Sequence, residues 1–184
     1  MLIRIIHTLT ILMMLLHAVT AYAQHAPVSE YQVKAAFLYN FAKFIEWPQN
    51  ADTADMQEFV IGIIGQDPFG SDISVIEGKS VNGQTLRVIQ ADSLNELKNI
   101  RVLFISSSAE NRLGEILGKL RGQPVLTVGD THGYANAGVM INLFKQESKI
   151  RFEINPAAAE EAGLRISSHL LRLARIVGQG KGRD

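Results

Sequence analysis

The chain has 184 residues and no cysteine, with 18 basic and 18 acidic side chains. The lack of cysteine excludes disulfides, thiol redox chemistry and cysteine metal sites, so packing alone must hold the fold together. The even charge balance argues against nucleic acid as the main partner, because phosphate binding requires clustered positive charge.

The N-terminus has the pattern of a Sec signal peptide. Arg4 is the only charge in the first 23 residues, and an apolar run from Ile5 to Val19 precedes Ala21-Tyr22-Ala23. The alternative is an uncleaved anchor, but this run is shorter than the roughly 20 residues that span a bilayer. We expect cleavage after Ala23 and an exported, soluble chain. Losing Arg4 leaves 17 basic and 18 acidic residues, a net charge near −1.

The first half of the predicted mature chain alternates helical and strand patterns. Ser29 is placed to cap a helix that runs to about Glu46, before Pro48. A polar loop, "QNADTADMQ", leads to "FVIGIIG", an apolar run typical of a strand buried on both faces. Pro68 behind Asp67 indicates a helix start. "TLRVIQ" then predicts a strand and "DSLNELKN" a short helix.

The second half continues this alternation and then changes period. "RVLFIS" predicts a buried strand, followed by a helix from about Ala109 to Leu120 and a strand at "PVLTVGD". "GVMINLFKQESKIRFEIN" alternates on both sides of a polar turn at residues 146–148, which indicates an antiparallel hairpin. The C-terminal segment is predicted to be helical, with Pro156 at its first position and a break at Gly163.

These elements predict an α/β fold: a single-domain sandwich with a mostly parallel central sheet, flanking helices and a C-terminal antiparallel hairpin. The domain is expected to occupy residues 24–177. Residues 178–184, a Gly-rich charged tail, are expected to be disordered. No cofactor or metal site is predicted.

The first helix carries an unusually aromatic surface. At 3.6 residues per turn, Val33, Phe37, Asn40, Phe41 and Phe44 share one face, with Trp47 beside it. One interpretation is a core helix packed on the sheet. The other is a contact surface for a partner chain, since aromatic residues are favoured interface anchors; its members are Phe37, Phe41, Phe44 and Trp47.

The C-terminal helical pattern carries a basic stripe formed by Arg165, His169 and Arg172. The buried face between them is predicted to consist of Ile166, Leu170, Leu173, Ile176 and Val177. The stripe is interpreted either as a solvated basic face or as a site for an anion, a small ligand or an acidic partner, because arginine binds anions through paired N–H donors.

Ser106, Asp130 and His132 follow predicted strands, where α/β proteins place ligands. A Ser–His–Asp hydrolase is one interpretation. However, no G-x-S-x-G motif is present, and serine after a strand is typical of a helix cap. As a metal site, Asp130 and His132 lack a third ligand in the sequence.

Several phrases in order resemble the YfiR family of periplasmic proteins: "YQVKAAFLYNFAKFIEWP", "IGIIGQDPFG", "LFISSS", "PVLTVGD", "AGVMINLF" and "KIRFEINPAAAEEAGLRISSHLLRLAR". The resemblance implies a non-catalytic regulator that binds the periplasmic domain of an inner-membrane diguanylate cyclase of the YfiN type. Repression of that enzyme keeps cyclic di-GMP, exopolysaccharide and biofilm output low. An OmpA-like outer-membrane lipoprotein of the YfiB type can sequester such a repressor.

The resemblance also implies a possible homodimer, because the best-known members are dimers with structural disulfides. This chain has no cysteine, so redox control through disulfides cannot operate here. Two other functions stay open. One is a periplasmic small-molecule sensor that uses the crevice at the strand ends, and the other is the hydrolase described above.

Overall fold

Runs of Ile, Val and Leu build one eight-stranded sheet in the computed structural model, which describes residues 28–48 and 57–178. The strands are β2 (Glu58–Ile64), β3 (Ser80–Val81), β4 (Gln84–Ala91), β5 (Ile100–Ile105), β6 (Leu126–Gly129), β7 (Ile141–Gln146), β8 (Lys149–Ile154) and β10 (Arg175–Ile176). Their spatial order is β10-β8-β7-β6-β5-β2-β4-β3. The predicted signal peptide, most of the predicted loop before β2 and the tail beyond Gly178 lie outside the described residues.

Pairing in this sheet is parallel except at two places. The β7–β8 pair and the β3–β4 pair are antiparallel, and the remaining neighbours run parallel. The predicted hairpin is β7–β8, in which Gln146 lies opposite Lys149. Glu147, in the turn, has a φ of 55°. The predicted α/β fold with a mostly parallel sheet and a C-terminal hairpin is therefore confirmed.

Four α-helices of the described residues cover the sheet: α1 (Glu30–Phe44), α2 (Leu113–Leu120), α3 (Pro156–Glu161) and α4 (Ser168–Leu173). Short 3₁₀ helices occupy Gly70–Val75, Leu94–Glu96 and Ser107–Arg112. A separate two-stranded pair joins β1 (Ile45–Glu46) to β9 (Arg165–Ile166). As predicted, Ser29 caps α1 by accepting a hydrogen bond from the Gln32 amide, and Pro156 stands at the start of α3.

The core consists of two apolar clusters, one on each face of the sheet. Val102 and Phe104 of β5 belong to the cluster under α1, α3 and α4, whereas Leu103 and Ile105 belong to the cluster under α2. Alternate residues of one strand therefore feed both clusters, as expected for a strand covered on both faces.

Helix boundaries differ from the predictions where tertiary pairing or local hydrogen bonds decide them. The first helix ends at Phe44, not at Glu46, because Ile45 is extended and pairs with Ile166. After Pro68 the chain forms a 3₁₀ helix, and the Asp67 carboxylate accepts a hydrogen bond from the Phe69 amide at 2.8 Å. The predicted helix from Ala109 begins as a 3₁₀ helix and becomes α-helical only at Leu113.

Gly129 of β6 gives a test of core packing. A Cβ at this position would lie 2.5 Å from Cδ2 of Tyr134, a ring that is buried and cannot move away without disturbing the cluster under α2. We expect Gly129→Ala to lower the free energy of unfolding by about 1–3 kcal/mol, measured by urea denaturation.

Gly118→Ala on α2 is the matched control, since a Cβ there meets nothing within 4 Å. Alanine in a helix is more favourable than glycine, so this variant is expected to gain about 0.5–1 kcal/mol. Equal denaturation midpoints for the two variants would contradict the packing explanation.

Candidate partner-binding surface

The end of α1 and the C-terminal segment meet at the β1–β9 pair. Ile45 lies opposite Ile166, and Glu46 lies opposite Arg165. The Ser167 amide extends this contact by donating a hydrogen bond to the Phe44 carbonyl at 3.1 Å. We call the β1–β9 pair, together with Phe44 and α4, the clasp. The clasp brings together two predicted sites that lie more than a hundred residues apart in the sequence.

An aromatic contact marks the outer surface of the clasp. The rings of Phe44 and His169 lie 5.6 Å apart between centroids, and Phe44 is 38% exposed. Leu173, which is 61% exposed, lies four residues beyond His169 on α4 and hence on the same side of that helix. Two of the large apolar side chains that are exposed among the described residues, Phe44 and Leu173, therefore belong to the clasp.

The other aromatic residues of the predicted partner site lie in the core or pack against it. Phe41 is fully buried, and its ring lies 5.2 Å from that of Phe152. Phe37 is partly buried and contacts both rings at 5.7 Å. Trp47 is also partly buried, with its ring 5.4 Å from Phe59. Its indole N–H is buried without a hydrogen-bond partner in the part of the chain that the structure describes.

The predicted aromatic face of α1 coincides only in part with the face that packs on the sheet. The buried positions are Lys34, Ala35, Leu38, Phe41 and Ala42, whereas Asn40 and Phe44 are exposed. The packed stripe is therefore rotated away from Phe44. This rotation is what leaves Phe44 free to contact α4.

The prediction that Arg165, His169 and Arg172 form one basic stripe on a helix is wrong. Arg165 lies in the extended strand β9, while His169 and Arg172 lie on α4. Gly163 has a φ of 72° after α3, and Ser167 is extended and caps α4 by accepting from the Leu170 amide. The chain therefore cannot continue as one helix through these residues.

The buried face predicted for this segment is correct only in part. Leu170 is buried, but Leu173 and Ile176 are exposed. Helix α4 ends at Leu173, and Arg175–Ile176 forms the edge strand β10 beside β8. The helix therefore ends before a further turn could direct these side chains toward the core.

The predicted ligand-binding residues do not converge. Arg165 is exposed, and its guanidinium lies 4.0 Å from the Glu46 carboxylate. Arg165 also lines a small cavity of about 230 Å³ with Glu160 and Leu171, which His169 and Arg172 do not line. The cavity therefore receives one positive and one negative side chain instead of three basic ones.

The residues of the hypothetical hydrolase make other contacts. The Asp130 carboxylate accepts from Lys34 Nζ at 2.8 Å and from the Tyr31 hydroxyl at 3.2 Å. His132 is exposed, and no contact joins it to Ser106 within the described chain. The same residues contain no group of three or more His, Asp or Glu side chains arranged to hold a metal ion.

The burial of the Lys34 side chain is a feature that the sequence patterns do not reveal. Its side chain and that of Asp130 are only 6% and 7% exposed, and a second bond of 2.8 Å joins Lys34 to Glu30. The ammonium group also lies 4.4 Å from the centroid of the Tyr31 ring. Burial disfavours the charge, but hydrogen bonds to Asp130 and Glu30 outweigh it and raise the pKa of Lys34. This buried ion pair ties α1 to the end of β6.

Glu30 couples this network to pH. Hydrogen bonds from Lys34 and then from Lys145 lower the pKa of the Glu30 carboxyl below its ordinary value. A lowered folded-state pKa stabilises the fold above the unfolded pKa, and this contribution is lost as the pH falls through the folded value. We therefore expect Glu30→Gln to flatten the loss of stability on acidification below about pH 5, measured by thermal unfolding across pH. An unchanged slope would contradict the assignment.

Within residues 28–48 and 57–178, every helix is too short or too polar to cross a bilayer. No curated protein matches the chain. Among solved structures, it is similar to the ABC domain in complex with L-Trp from Streptococcus pneumonia, with a TM-score of 0.47 and 13% identity. The match covers 65% of this chain and 55% of that one, so the chain spans just over half the length of that structure.

The family model described as YfiR/HmsC-like matches residues 31–175, which include every strand of the main sheet except the last residue of β10, the whole of α2 to α4 and nearly all of α1. That range also contains both sides of the clasp. The chain belongs to the YfiR/HmsC-like family.

Proposed function

We propose that the protein is a periplasmic negative regulator that binds the periplasmic domain of an inner-membrane diguanylate cyclase and represses cyclic di-GMP synthesis. The observation that carries this proposal is the family match over residues 31–175. The signal-peptide pattern that ends at Ala23 supports export. Lower biofilm and exopolysaccharide output is the expected consequence.

The clasp is the proposed contact surface for the cyclase. Phe44 and Leu173 supply exposed apolar area, and Arg165, His169 and Arg172 supply polar and basic groups around it. An apolar centre with a polar rim is the usual composition of a specific interface. Phe41 is buried in the core cluster under α1, and the partly buried Phe37 and Trp47 pack against that cluster, which also contains Ile45 and Leu170 of the clasp.

Repression requires only that the regulator binds one cyclase conformation better than another. A preference of about 3 kcal/mol shifts a two-state equilibrium on the order of 100-fold. An OmpA-like outer-membrane lipoprotein that competes for the clasp would relieve repression. Homodimerisation would have to occur without disulfides, because the chain contains no cysteine.

Deletion of the gene tests the function directly. The expected result is a rise in cellular cyclic di-GMP that is reversed by the wild-type gene but not by a gene lacking residues 1–23. An unchanged cyclic di-GMP level in a strain that makes the protein would contradict repression.

A pull-down from envelope extract with the mature chain as bait is expected to recover a membrane protein with a cyclase domain.

A further inference from the structure

A pocket of about 650 Å³ lies at the amino ends of β5 and β6, beside the end of α2. Its apolar lining includes Leu97, Leu120 and Val125, which belong to the core cluster under α2. The clasp instead adjoins the cluster under α1, so the pocket and the clasp are on opposite faces of the sheet. The pocket is also at the opposite end of β5 from Ser106.

Arg101, at the start of β5, brings an uncompensated charge into this pocket. It is partly buried, and it has no hydrogen-bond or ion-pair partner among the described residues. Burial lowers the pKa of the guanidinium, and no neighbouring carboxylate opposes that effect. Arginine nevertheless stays protonated in proteins. The folded chain therefore retains a partly desolvated cation whose free energy would fall on pairing with an anion.

The other polar groups of the pocket favour the same charge. Lys119 lines it, but its ammonium group is already paired with Glu115 at 2.7 Å. Asn95, Asn99 and Gln123 add amide groups, and the described lining residues include no carboxylate. One cation is therefore left without a partner, which matches an anion of single charge.

We propose that this pocket binds a small organic monoanion, with a carboxylate paired to the Arg101 guanidinium and an apolar chain packed on Leu97, Leu120 and Val125. The planar guanidinium donates two parallel hydrogen bonds to a carboxylate, which gives both affinity and orientation. The apolar lining selects against small inorganic anions, which gain nothing from burial there. This binding is separate from the proposed contact with a cyclase and does not depend on it.

Titration of the ¹⁵N-labelled protein with hexanoate, followed by NMR, tests the site. We expect saturable shifts for amides around Asn99–Val102 and Gln123–Val125, with a Kd below about 10 mM. Hexanamide, which has the same chain without the charge, is expected to bind at least about tenfold more weakly. Inorganic phosphate is expected to shift these amides less than hexanoate at equal concentration.

Arg101→Gln is expected to weaken hexanoate binding about tenfold while leaving the remaining amide spectrum unchanged. Arg87→Gln is the matched control, because Arg87 is exposed on β4 and pairs with Glu58 outside the pocket. The proposal is overturned if hexanoate shows no saturable shifts at the pocket, if hexanamide binds equally well, or if both arginine variants bind hexanoate like the wild type. If Arg101→Gln does not fold, Lys119→Gln replaces it. Because Lys119 is already paired with Glu115, this variant is expected to lose less hexanoate affinity than the wild type loses when hexanamide replaces hexanoate.

Discussion

Lys34→Met is expected to lower the free energy of unfolding by about 3–5 kcal/mol, because it leaves the buried Asp130 carboxylate without its counter-ion. Both side chains are almost wholly inaccessible to water, so solvent cannot replace the lost partner. Methionine has a similar length and keeps the packing of the side-chain stem. The measurement is the urea midpoint at neutral pH.

Lys145→Met is the matched control for this variant. Lys145 pairs with the same Glu30 at 3.0 Å, but its side chain is 56% exposed. Exposed pairs contribute about 0–1 kcal/mol, so the same substitution there should have a small effect. Replacing both members of the buried pair, as Lys34→Met with Asp130→Leu, is expected to recover part of the loss. A Lys34→Met midpoint equal to that of Lys145→Met would show that the buried pair does not stabilise the fold.

Phe44→Glu together with Leu173→Glu is expected to weaken binding of the proposed cyclase domain by at least about 100-fold, since it places two carboxylates in the apolar centre of the clasp. Neither side chain belongs to the buried core, so the fold should persist. The measurement is the affinity of the purified variant for the isolated periplasmic domain of the cyclase. In cells, this variant should fail to lower cyclic di-GMP in the deletion strain.

Val28→Glu separates a local effect from a general effect of surface charge. Val28 is 67% exposed just before α1, at the far end of that helix from Phe44. Its replacement should leave cyclase affinity within about twofold of the wild type. Equal loss of affinity in both variants, or full affinity in the clasp variant, would place the contact elsewhere on the molecule.

The parts of the fold with a strong local pattern could be predicted from the sequence. Segments such as "FVIGIIG" and "RVLFIS" form β2 and β5 because long apolar runs are buried on both faces wherever they pair. The hairpin was predictable for a similar reason, since alternation on both sides of a polar turn fixes its register. Strands β1, β9 and β10 have two residues each, which is too short to show a period.

The candidate site was less predictable because long-range contacts determine it. The helical period places Phe44 with Phe37 and Phe41, but it carries no sign that Ile45 pairs with Ile166 or that the Phe44 ring lies 5.6 Å from that of His169. Lys34 is buried only because Asp130, 96 residues away, lies beside it. A local pattern carries no information about a partner at that separation. The ion pair with Glu30 at four residues' distance was the one local signal of this network.

The two ends of the main sheet limit how another protein can attach to it. Each terminal strand, β3 and β10, offers an incoming strand a ladder only two residues long. So short a ladder provides few main-chain hydrogen bonds, and such an edge resists sheet-to-sheet aggregation. Strand addition onto β3 or β10 is therefore disfavoured, which favours a binding partner that contacts side chains on the outside of the molecule.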